Sequence, residues 1–172
     1  DEIPADYPDR IYITEFASKY DVNRIFQLNG GPIYLQETVS VREAILLYEA
    51  VMDRTYEITA SDIKIKAKEL GIDSIINANT PTRDISRQQA AALVAKVYSI
   101  YSGVDLQRLK ISKYGLAKDE NKINDKYYKS VMFLLEKGIM RTNSTGYFEP
   151  EGGISRGEIM AAFAKVLEQV KR

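Results

Sequence analysis

One helix start is written three times in this chain, and any fold it adopts has to accommodate all three. The copies read Val39-Ser40-Val41-Arg42-Glu43-Ala44, Ile85-Ser86-Arg87-Gln88-Gln89-Ala90 and Ile154-Ser155-Arg156-Gly157-Glu158-Ile159. Each has an apolar residue, a Ser, two variable positions and a Glu or Gln. This is the form of a capping box, in which Ser accepts a backbone N–H of the first turn and the Glu or Gln side chain reaches back. The apolar residue before the Ser and the fourth residue after the Ser (Ala44, Ala90 and Ile159) are placed for a hydrophobic staple. The stretch after each Ser is helical in period: Ile159, Ala162, Phe163, Val166, Leu167 and Val170 share one face, as do Ala90, Leu93, Val94, Val97, Tyr98 and Tyr101. After Ser40 the face is Ala44, Leu47, Tyr48, Val51 and Met52. The chain therefore carries a degenerate internal repeat.

Capping accounts for the Ser and the Glu or Gln and leaves the Arg unexplained. Arg87 and Arg156 occupy the first helical position, where the helix dipole makes a cation unfavourable by roughly 0.3–1 kcal/mol. Two readings stand. In one, an anion is held there by helix N–H groups and guanidinium together. In the other, each Arg bridges to a carboxylate of a neighbouring repeat.

Composition narrows the function classes. The 172 residues contain neither Cys nor His, which excludes disulfides, thiolate nucleophiles, Ser-His-Asp triads and imidazole-bearing metal sites. With 24 basic and 24 acidic residues the chain lacks the basic excess of a nucleic-acid binder, so no nucleic-acid partner is expected. No apolar run reaches the roughly 18 residues of a membrane span. Carboxylate-pair glycoside chemistry stays open in principle, but no pair stands out, and the chain is expected not to be an enzyme. No cofactor or metal is expected; a calcium site from Asp119, Glu120 and Asp125 lacks the EF-hand spacing. The absence of an initial Met and of a signal pattern implies a mature chain or a piece of a longer one.

In chain order, Asp1 to Arg10 reads as an N-terminal arm, and Ile11 to Val22 as a helix presenting Ile13, Phe16, Ala17 and Tyr20. Residues 27–40, with Asn29-Gly30-Gly31-Pro32, form a loop. The helix after Ser40 is expected to run to about Arg54. Ser61 is the expected N-cap of a helix ending at Gly71, and a long helix spans Arg87 to Tyr101 before Gly103. Ser40, Ser86 and Ser155 are spaced 46 and 69 residues apart (86 − 40 and 155 − 86). The surplus lies in 104–124, where a short helix near 105–112 is expected. The charged run Lys118-Asp119-Glu120-Asn121-Lys122 reads as solvated loop. A helix from Asp125 to Lys137 turns Tyr128, Val131, Leu134 and Leu135 inward. Gly146 then supplies a positive φ and Phe148 anchors the loop. Tyr34, Tyr127 and Tyr147 lie where they can stack on sugar rings.

Gly138-Ile139, Gly146-Tyr147-Phe148-Glu149-Pro150 and Ile154-Ser155-Arg156-Gly157-Glu158 together resemble the S-layer homology (SLH) repeat. That family's pattern is a helix ending in Gly-Ile, a Gly-x-Phe-x-Pro loop and a Thr-Arg-Ala-Glu helix start. Here Ser155 replaces Thr, Gly157 replaces Ala and Tyr127 stands at a usual Trp. The middle copy keeps Gly71-Ile72, Pro81 and Ser86-Arg87-Gln88-Gln89 without the Gly-x-Phe pair. The first copy keeps Ser40-Val41-Arg42-Glu43 but lacks the Pro and the Arg at the expected places.

The resemblance implies an all-α fold of three helix-loop-helix repeats, about 1–56, 57–103 and 104–172, in one pseudo-threefold domain. The Gly-Ile helices would line a central bundle with three grooves between repeats. It also implies a non-covalent anchor at the extracellular cell surface of a Gram-positive cell, the cell wall or S-layer. The partner would be a secondary cell-wall polysaccharide bearing an acidic ketal such as pyruvate, and further parts of an exported protein are expected. Matched onto this chain, the ligand-binding residues are Arg156, Ser155, Glu158, Gly146, Arg87, Ser86, Gln89, Ser40, Arg42, Glu43 and Tyr127. Because Val41 holds the first repeat's Arg position, at most two grooves are expected to be competent. The alternative is a protein–protein docking module that keeps the fold with decayed glycan sites.

Overall fold

The computed structural model describes residues 3–53 and 58–171. Seven α-helices occur among them: α1 (Arg10–Lys19), α2 (Val22–Phe26), α3 (Val41–Val51), α4 (Ile63–Glu69), α5 (Arg87–Ser102), α6 (Asp125–Glu136) and α7 (Arg156–Val170). The expected helix over 11–22 is split at Tyr20-Asp21, where Tyr20 is extended and Asp21 caps α2. α3 ends at Val51, short of Arg54, which lies outside the described residues together with the 56/57 boundary. The N-cap of α4 is Asp62 rather than Ser61, its carboxylate accepting the N–H groups of Lys64 (2.8 Å) and Ile65 (3.2 Å). The short helix expected near 105–112 is a single 3-10 turn, Leu106–Arg108.

The packing is cyclic. α4 lies on α3, α6 on α5 and α1 on α7, so each unit's first helix packs on the second helix of the unit before it, and the first unit's on the last. α5 also contacts both α3 and α7. The inner layer is made of these second helices. α7 buries residues on every side, from Ile159 through Leu167, as a helix surrounded by protein must. Of α4 only Lys66 and Ala67 are buried, and of α1 only Ile13 and Phe16. The Gly-Ile helices pack on the inner layer, α4 on α3 and α6 on α5, rather than on one another, which corrects the expectation that they line the centre. The apolar content explains the exchange: α4 spends four of its seven positions on Lys and Glu (IKIKAKE), whereas α7 carries a run such as Ile159-Met160-Ala161-Ala162-Phe163.

The helix starts form the hub. Val39, Ile85 and Ile154, the residues before the three capping Ser, are at most 1% exposed. Val39 donates its N–H to Ile154 O and Ile85 donates to Val39 O, both at 3.0 Å. Isolated β-bridges pair Thr38 with Ser155, Ser40 with Asp84 and Ser86 with Gly153. Phe148 is 1% exposed, as expected of a loop anchor worth about 1.5–3 kcal/mol on burial. Gly146 turns the loop at φ 89°.

Candidate functional site

The first-turn N–H groups of α3, α5 and α7 are all occupied. Val41 and Arg42 donate to the carbonyls of Arg83 (2.8 Å) and Pro81 (2.9 Å). Arg87 and Gln88 donate to Gly152 (2.7 Å) and Pro150 (3.1 Å), and Arg156 and Gly157 to Glu37 (2.8 Å) and Leu35 (3.0 Å). The third N–H of each helix goes to its own capping hydroxyl: Glu43 to Ser40, Gln89 to Ser86 and Glu158 to Ser155. Each helix start is thus plugged by the loop of the next unit around the ring. The groups counted on for an anion at these termini are not free, because the loops satisfy backbone donors that burial would otherwise leave costly.

The guanidinium groups obey the same rotation. Arg87 is 7% exposed; its Nε donates to Phe148 O (2.7 Å), Nη2 to Arg141 O (3.0 Å) and Nη1 to Glu158 (2.6 Å), and the Phe148 ring lies 4.9 Å below. Arg156, also 7% exposed, donates through Nη1 to Ile33 O (2.7 Å) and through Nη2 to Glu43 (3.0 Å), over the Phe26 ring at 4.7 Å. Its Nη2 is 3.5 Å from Glu37, and its Nε has no hydrogen-bond partner. Both arginines therefore bridge to the capping carboxylate of the next repeat, the second of the two readings. The full capping box forms at Ser40–Glu43 and Ser86–Gln89. At α7 the Ser155 half is present, while Glu158 is turned to Arg87.

Two grooves open beside these junctions. At the α5 start a cavity of about 610 Å³ is lined by Thr38, Asn77, Thr80, Arg83, Asp84, Ser86, Gln88, Gln89, Asn124 and Tyr127, with Val41 at the wall. Ser86 and Gln89 are the predicted residues that reach it with polar atoms; Gln89 also donates to Ile75 O at 3.3 Å. Tyr127, 9% exposed, donates its hydroxyl to Ile75 O (3.3 Å) and shows the groove little of its ring.

At the α7 start a cavity of about 320 Å³ is lined by Gln36, Arg87, Arg141, Asn143, Tyr147, Ser155, Gly157 and Glu158, and by Tyr7, Pro8 and Asp9 of the N-terminal arm. Burial first, then the Glu158 charge, push the Tyr7 phenol up in pKa, against a hydrogen bond with Gln36.

The remaining predicted residues sit elsewhere. Ser40 and Glu43 are held in the α3 cap, and Glu43 also receives Arg156. Arg42 points back to Ile25 O at 3.4 Å, away from the junction. Gly146 packs its open face on the Lys118 side chain.

Sequence reasoning missed Arg83, Arg141 and Asp9, whose only signal is position in a loop or arm. It also misread Asp119. This residue is 5% exposed and accepts the N–H groups of Phe148 and Glu149, each at 2.8 Å, so the charged run is a loop clamp. No cluster of metal-binding side chains occurs among the described residues. No helix of the described residues is long and apolar enough to cross a membrane.

A comparison with curated proteins gives no match. A scan of family models matches residues 118–160, from the Asp119 clamp through α6 and the Gly146 turn into the first turn of α7. The model is that of the S-layer homology domain, so residues 118–160 of this all-α chain are similar to an S-layer homology repeat.

Proposed function

We propose that the three units, taken as about 1–56, 57–103 and 104–172, act as one domain that holds an exported protein non-covalently to the cell wall. The ligand is a secondary wall polysaccharide carrying an acidic group such as a pyruvate ketal, taken up in a groove between units. The observation that carries this reading is the lining of the α5-start groove. Hydroxyls and amides from Thr38, Asn77, Thr80, Ser86, Gln88, Gln89 and Asn124 converge there with the exposed Arg83 at the edge. Such donors and acceptors suit sugar hydroxyls, and a guanidinium suits a carboxylate. The polar lining also disfavours the docking-module alternative, which calls for an apolar groove. Ser86 and Gln89 are retained as ligand residues; Arg87 and Arg156 support the junctions instead.

The test is co-sedimentation with purified wall sacculi, intact or stripped of secondary polymer, using wild type and Arg83→Gln. Binding that needs the polymer and weakens at least tenfold in the variant, about 1.4 kcal/mol, supports the assignment. Equal sedimentation on stripped and intact walls would sink it. Arg156→Ala is a poor probe, because it leaves Glu43 facing a buried void and breaks the junction between the last unit and the first.

A further inference from the structure

The N-terminal arm reaches into the second groove, and comparison of the repeats shows that its placement there is a departure. The first helices α1, α4 and α6 occupy equivalent places in the ring. The N-cap Asp62 of α4 and the N-cap Asn124 of α6 each accept N–H groups of their own helix. The N-cap Asp9 of α1 accepts none, and its backbone is left-handed at φ 60°. Asx residues are favoured at this position because they cap, so a carboxylate turned away from its helix forgoes that stabilisation. It is turned toward cations: Arg141 Nη2 lies 2.7 Å from Oδ2 and Lys165 Nζ lies 2.9 Å from Oδ1. Lys96, which holds the place of Lys165 in the middle unit, donates to the carbonyl of Gly71.

The accessible cation of the groove is Arg141. Its side chain is 60% exposed, whereas those of Arg87 and Arg156 are 8% exposed and committed to carbonyls and carboxylates. Beside the Asp9 carboxylate the Tyr7 side chain reaches into the space at Gly157. A Cβ there would lie 2.9 Å from the Tyr7 hydroxyl, so the glycine makes room for the arm. The arm thus delivers a six-membered ring and a carboxylate to one groove.

We propose that Arg141, backed by Lys165, is a carboxylate-binding site at the α7-start groove, and that Asp9 and Tyr7 fill it as an internal stand-in for a carboxylate-bearing sugar. This rests on the polymer reading above for the nature of the ligand. An external acidic sugar must displace the arm, and the apparent affinity of the groove is reduced by the fraction of molecules in which the arm is seated. The α5-start groove is open, and the α7-start groove is conditional.

The test compares wild type, Asp9→Asn, Tyr7→Ala and Asp9→Asn/Arg141→Gln by two readouts. One is sedimentation on intact and stripped walls. The other is calorimetric titration of every variant with methyl glucuronoside, with the ¹⁵Nε–H resonance of Arg141 followed wherever that arginine is present. Asp9→Asn is expected to bind the glucuronoside about tenfold more tightly than wild type, the effect of a site about 90% self-occupied. The Arg141→Gln change is expected to abolish that gain.

Tyr7→Ala loosens the arm without removing either partner of the Arg141 and Lys165 contacts. It is expected to shift affinity in the same direction, and it decides the matter if melting curves show that Asp9→Asn is unfolded. Equal response of wild type and both arm variants, or a gain that survives Arg141→Gln, overturns the proposal. Wall binding by every protein with no difference among them removes the arm's role and leaves the polymer reading intact. Failure of all of them on intact walls, with the Arg141 resonance still shifting in Asp9→Asn, removes the polymer reading and keeps the carboxylate site.

Discussion

Asp119 looks unremarkable in the sequence, one charge among five polar residues, yet it fixes the loop that plugs α5. Burial raises the pKa of its carboxyl, and the N–H groups of Phe148 and Glu149 outweigh this, so the group titrates below its ordinary 3.8. A depressed carboxyl contributes stability that is present above the unfolded-state value and lost as pH falls through the folded one. Acid should therefore destabilise the wild type below about pH 4, and this part of the slope should vanish in Asp119→Asn. Asp119→Ala strands the buried N–H of Phe148 and the half-buried N–H of Glu149, and is expected to cost about 1–3 kcal/mol, read by urea unfolding at neutral pH. The residue was illegible because its partners lie some thirty positions away. Local composition carries no trace of a contact at that range. Ser40, Ser86 and Ser155 were legible for the opposite reason, since a cap finds its partner three residues on.

At the scale of the element, two of the three helix junctions carry an Arg–Glu bridge, from Arg87 to Glu158 and from Arg156 to Glu43. The rotation that relates them carries the Arg position to Val41 and the Glu position to Gln89, and both border the α5-start groove. The charge pair is absent there as a pair, which leaves no buried ion alone at that junction. Val41→Arg alone puts an unmatched cation at a site 4% exposed and is expected to cost about 1–3 kcal/mol. In Val41→Arg/Gln89→Glu about 1–2 kcal/mol of coupling should return in a denaturant double-mutant cycle. Strict additivity would mean that positions 41 and 89 do not face each other as 87 and 158 do. The helices themselves were largely readable from their period: α5 and α6 each end within one residue of expectation, and Gly103 terminates α5. What the period could not show was which neighbour each helix start would meet. That choice, between an external anion and the next unit's carboxylate, is made by tertiary packing.

Around the whole molecule, each inner helix (α3, α5 and α7) borrows N-terminal acceptors from another unit, so no unit is complete alone. A fragment covering residues 104–171 keeps α6 and α7 but loses the carbonyls of Glu37 and Leu35 that plug α7. It is expected to show little helix by circular dichroism and to regain it when mixed with 1–103. Independent folding of the fragment would contradict the borrowed-acceptor account. All-α content and three helix starts were within reach of the sequence. The inner position of α3, α5 and α7 was not, because it depends on how little apolar surface α4 and α1 offer in comparison.

The loop-to-helix plugs run in one sense, and the last unit is sealed to the first through the α7 start and through α1 on α7. A chain so closed has no outermost unit to peel. Tension applied at either end meets a seam made by the opposite end of the polypeptide, and it has to part that seam before any single helix can be drawn away. In the tethering role proposed above, the mechanical yield point lies at the closure of the ring, the contacts of Arg156, Glu43 and Asp9, rather than at the unit nearest the load.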